Sequence, residues 1–158
     1  MAQLLNLGGM AVGAVGIFIG FYLLANNPFT AVAFVTGTSV GVVGILAFVR
    51  HVIFHRADAA RMGWQTDRPD WQFEVGFANL AFAVPAVVVV IWLPSYPAFF
   101  VLILGYALYL AQAAALHLYR YLTDENRSAA RLWRSVIGTS LFAVLMLVFA
   151  YRAFLGSP

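Results

Sequence analysis

The chain has 158 residues, 63% of them hydrophobic and only 9% charged, with a mean hydropathy of +0.89 and a formal net charge of +3. Soluble domains average about 45–50% apolar residues, so nine arginines and six acidic residues cannot clothe a water-soluble surface on this chain, and the bilayer is the better solvent. The arginines form no basic stripe suited to nucleic acid, and the absence of cysteine removes disulfides, thiolate metal sites and cysteine nucleophiles.

A hydrocarbon core of about 30 Å asks for roughly 20 apolar residues per crossing helix. Five segments meet this, at about 6–25, 29–54, 73–93, 98–118 and 136–154. The expected fold is an all-α integral membrane bundle of five transmembrane helices, a single domain over 1–158. The first span is rich in glycine, and its leader "MAQLLN" has no positive charge, so it reads as a retained span and not a signal peptide. An "NNP" turn leads into the second, which is expected to run on as a helix through "RADAARM" and stop at Gly63. Pro69 suits the first turn of the third span, and Pro85 is expected to kink it. "PSYP" and "TDEN" separate the remaining spans.

Glycines spaced by four mark surfaces where helices approach closely: Gly9 and Gly13, Gly16 and Gly20, Gly37 and Gly41. They are expected to join the first two helices to each other, or to dock a partner subunit. Five crossings also divide the arginines. Arg50, Arg56, Arg61, Arg68, Arg120, Arg127, Arg131 and Arg134 fall on one side and Arg152 alone on the other. The positive-inside rule then puts the N-terminus in the cytoplasm and the C-terminus outside. Trp64, Trp71 and Trp133 are expected at the cytoplasmic interface and Trp92 at the outer one.

The polar residues define the candidate chemistry. His51 and His55 stand four apart, hence on one helix face, with His117 and Glu74 at a similar depth. His51, His55, Glu74 and His117 could together hold zinc or iron, or the histidines a haem, although no dedicated ligand motif is present. Interfacial hydrogen bonding is the favoured role, and no cofactor is predicted. Glu74 lies just inside the apolar zone. It is expected either to pair with an arginine or histidine ending the second or fourth span, or to serve an ion path. Asn79 and Gln112 lie deeper and read as interhelical hydrogen-bonding glue. There is no phosphate loop, serine elbow or dinucleotide fingerprint, and an enzyme would have to work inside the bundle.

The pair Gly63–Trp64 and the run "WQFEVGFANLAFAV", with Gln72, Glu74, Gly76 and Asn79 at its marked positions, resemble a family of small prokaryotic multi-pass membrane proteins of unknown function. The resemblance implies the membrane class and a prokaryotic cytoplasmic membrane, but no activity. The expected role is a non-catalytic interaction or accessory subunit, with the bilayer and a second copy or partner subunit as neighbours. One alternative is a small oligomeric transporter or channel using Glu74 and Asn79. A second is a metal- or haem-binding redox protein using His51, His55 and His117.

Overall fold

The computed structural model of the chain describes residues 1–62, 68–123, 127 and 129–155. Five helices in it are long and apolar enough to cross a membrane: α1 (Ala2–Leu24), α2 (Pro28–Ile53), α4 (Asp70–Ile91), α5 (Tyr96–Thr123) and α6 (Ser135–Leu155). A short helix, α3 (His55–Met62), lies between α2 and α4. No strand occurs among the described residues. Large apolar side chains such as Phe18, Val101 and Val144 point outward along the spans, which is the surface a bilayer requires.

Local chemistry sets the ends. The Asn27 side chain accepts the Thr30 N–H at 3.1 Å and Pro28 takes the first helical position, so the "NNP" turn caps α2. Pro69 stands just before α4, its carbonyl accepting from the Gln72 and Phe73 N–H groups. Helix α4 continues through Pro85, whose ring faces outward. Where the second span was expected to run unbroken into "RADAARM", Phe54 leaves the helical region (φ −105°, ψ 28°) and redirects the chain into α3. The break follows a widened turn with i→i+5 bonding over Val49–Ile53. Similar turns occupy Thr36–Val42 and Leu132–Ile137.

The glycine stripe of α1 is spent inside the bundle. A side chain at Gly13 would strike Phe142 of α6, at Gly16 it would strike Thr38 and Ser39 of α2, and at Gly20 Val35 and Phe149. Gly37 and Gly41 instead face Val90 and Val87 of α4, not α1 as expected. The reason is angular. Ser39 meets α1, its hydroxyl 3.4 Å from the Gly13 carbonyl, and the residues two positions either side point to roughly the opposite side of the helix. Gly44, against Ala83 and the Asn79 carbonyl, extends the α4-facing row.

One half of the bundle is filled by Val32, Val35, Phe99, Ile103, Met146 and Phe149, all fully buried. The α5 and α6 helices pair closely, tied at the end by the Tyr96 hydroxyl donating to the Ala153 carbonyl at 2.7 Å. The other half, where the arginines gather, is hollow.

Candidate functional site

The hollow is a cavity of about 370 Å³ walled by all five spans and by α3. Two tiers of polar side chains furnish it. The widened turn at Val49–Ile53 brings the neighbouring residues Arg50 and His51 to the same wall, and α3 adds Asp58 and Arg61.

Asp58 is the hub of the upper tier and is fully buried. Its Oδ1 accepts from Arg61 Nε at 3.0 Å and Arg61 Nη2 at 2.8 Å, with Arg50 Nε at 3.5 Å. Its Oδ2 faces His51 Nδ1 at 2.9 Å. Arg50 can only donate, so His51 Nε2, 2.8 Å from Arg50 Nη2, must be the accepting nitrogen. Nδ1 then carries the proton on the side of Asp58, a contact close in distance but short of hydrogen-bond geometry, which leaves the ring neutral. Arg50 Nη1 also donates to the Asn6 amide oxygen of α1. Burial pushes the Asp58 carboxyl up, but the close His51 ring and the charges of Arg50 and Arg61 outweigh it and hold the group at about 2. Asp58 is therefore a carboxylate at neutral pH.

The lower tier lies within the spans. Asn79 of α4 donates to the Tyr109 hydroxyl at 2.9 Å and to the Val75 carbonyl at 2.8 Å. The Tyr106 hydroxyl donates to the Asn79 oxygen at 2.9 Å. The two tyrosine rings of α5 stack at 5.9 Å, and Phe82 backs both. Asn79 thus links α4 to α5 and forms the cavity floor.

The residues marked by the sequence fall in different places. His51, Asn79, His117 and Gln112 line the cavity, Gln112 at an exposed edge. His55 does not share a face with His51, because the break at Phe54 cancels their helical spacing. Its Nδ1 donates to the Val52 carbonyl at 3.0 Å and its ring meets Phe73 edge-on at 5.3 Å. Gln72 Nε2 donates to the His55 carbonyl at 2.9 Å, pinning α4 to the start of α3. Glu74 is exposed and has no ion pair among the described residues, where a cation partner was expected. Gln72, Gly76 and Asn79 form the buried stripe of α4, and Glu74 lies about 200° away from Gln72. His51, His55, Glu74 and His117 do not converge. Among the described residues no group of three or more His, Asp or Glu side chains is arranged to hold a metal.

Trp71 is half-buried and lines the cavity, whereas Trp92 and Trp133 are exposed near the ends of their helices. Trp64 lies outside the described residues. Sequence reasoning passed over Asp58, Arg50, Arg61, Asn6 and the two tyrosines. A signal for them existed. Asp58 stands three residues before Arg61, a helical spacing, and mid-span tyrosines at 106 and 109 need hydrogen-bond partners.

Residues 7–154 match the model of a family of unknown function, DUF6790, and the chain belongs to that family. No curated protein and no solved structure gives a significant match.

Proposed function

We propose that this protein is a membrane-embedded binding protein that holds a small molecule in the cavity of its arginine-rich half. The observation that carries the reading is the cavity itself. Its volume of about 370 Å³ falls in the range of small-molecule sites, about 300–1,000 Å³. Like such sites it combines apolar walls with a few placed polar groups, here Arg50, Arg61, Asp58 and Asn79. Eight of nine arginines at that end support its facing the cytoplasm. A binding role also supports transport or sensing more readily than catalysis, since Asp58, the acid of the cluster, is locked between two guanidiniums.

An accessory-subunit role ranks below this reading. Part of its sequence support was the glycine faces, and Gly13, Gly16 and Gly20 are used within the bundle. Ala113 lines the cavity without joining either polar tier, so Ala113→Phe fills the space and leaves the charges alone. Solvent extraction of the purified protein, read by mass spectrometry, should release a small molecule near one per chain that the Ala113→Phe protein lacks. Identical extracts from both proteins would refute the binding reading. A reporter fused after Pro158 should be active only outside the cytoplasm, and activity inside would reverse the orientation.

A further inference from the structure

The chemistry of the cavity also points to the class of its occupant, an inference that rests on the binding role above and deepens it. Two guanidiniums, Arg50 and Arg61, face one carboxylate, Asp58, while His51 is neutral in the tautomer its contacts require. Among the described residues this cluster therefore holds two positive charges against one negative, and a buried charge without a counter-ion is costly. Donors are left over as well. A guanidinium carries five N–H groups. Those of Arg50 reach Asn6, His51 and Asp58, and those of Arg61 reach a single oxygen of Asp58. Among the described residues the other N–H groups of these two side chains have no acceptor, and both side chains line the cavity.

The shape adds a second, independent constraint. On α5, Gly105 meets Phe82 and Tyr109 meets Asn79, so the stripe through positions 105 and 109 faces α4. Gln112 and Leu116 continue that stripe and line the cavity, yet both are exposed. The α4 and α5 helices therefore part beyond the Asn79–Tyr109 bond, and the cavity opens sideways there. Gln112 lies eleven residues from the α5 terminus at Thr123, about 16 Å along the helix, so the opening lies well inside the length of the span.

We infer that the cavity takes a single-chain amphiphile with an anionic head, a carboxylate or a phosphate monoester. The head sits on Arg50 and Arg61, and the chain leaves past Gln112 and Leu116 into the bilayer.

Trp71, a cavity wall, serves as the reporter in a variant carrying Trp64→Phe, Trp92→Phe and Trp133→Phe, held in neutral phosphatidylcholine nanodiscs. Dibromostearate should quench Trp71 saturably. Oleate and dodecyl phosphate should displace it, whereas oleyl alcohol and inorganic phosphate should not. Arg61→Gln should weaken binding about tenfold or more. Arg61→Lys, which keeps the charge, should retain most of it, and Ala113→Phe should abolish it. Equal displacement by oleyl alcohol, or indifference to Arg61→Gln, would overturn the anionic head. Displacement by inorganic phosphate would overturn the amphiphile in favour of a soluble anion. In either case, a signal still removed by Ala113→Phe would leave the cavity standing as a binding site. Quenching that never saturates would overturn the inference. The binding role itself would then be judged by whether the extracted small molecule is present.

Discussion

The two halves of the bundle are built from the same five helices and solve opposite problems. Away from the arginines, Phe99, Ile103, Met146 and Phe149 interlock with no exposed surface, and Gly16 and Gly20 let α1 close against its neighbours. At the arginine-rich end the same α1 stripe continues to Gly9, which has nothing within 4 Å and lines the hollow. Packing density is therefore a property of each half, and no helix is wholly structural or wholly functional. Lipid supplies no hydrophobic drive to press helices together, so close packing and polar contacts must do it. The dry half uses packing. The hollow half relies on the Asp58 cluster and the Asn79–tyrosine floor.

The largest expected effect follows from that division. Asp58→Leu leaves Arg50 and Arg61 buried without their carboxylate, and should lower stability by about 3–5 kcal/mol, read as thermal unfolding in a single detergent. A change under about 1 kcal/mol would mean the cluster does not hold the hollow half. Next comes the same kind of truncation in each half. Phe149→Ala should cost about 3–5 kcal/mol because its site is filled on all sides, and Leu110→Ala, on the cavity wall, roughly half of that or less. Equal costs would erase the contrast.

A pH series isolates the hub. The carboxyl of Asp58 sits at about 2, below its ordinary 3.8. A depressed carboxyl stabilises the fold fully above the unfolded value, and that stability is lost as the pH falls through the folded one. Between about pH 5 and pH 2 the protein should lose about 2 kcal/mol that Asp58→Asn does not lose. Parallel curves for the two proteins would contradict the cluster geometry. Smaller still are the glycine and surface changes. Gly16→Val, against Thr38 and Ser39, should cost about 1–3 kcal/mol. Gly9→Ala and Glu74→Gln should stay within about 0.5 kcal/mol in the same unfolding assay.

Much of the fold was legible because hydropathy and length are sums over many residues. The five spans emerge within a few positions of their ends, with α5 running furthest past its expected limit, to Thr123. The site was less legible because it depends on direction, and direction is set by single turns. His51 and His55 look like a pair until the break at Phe54 separates them. Glu74 draws attention as an acid in an apolar run, yet the stripe of Gln72, Gly76, Asn79 and Ala83 already placed the buried face of α4 elsewhere. Asp58 was hidden in "RADAARM", where helix propensity alone accounts for the residues. Its relation to Arg50 and His51 passes through a widened turn and a bend that no spacing rule anticipates.

The contrast between a dry and a hollow half can be measured directly, because the chain has no cysteine of its own. Ala113→Cys places a thiol on the cavity wall and Ala150→Cys places one in the packed half. In nanodiscs, a small charged methanethiosulfonate reagent should modify the first readily and the second only on denaturation. Silence at both positions, or equal rates at both, would contradict an accessible cavity in the arginine-rich half.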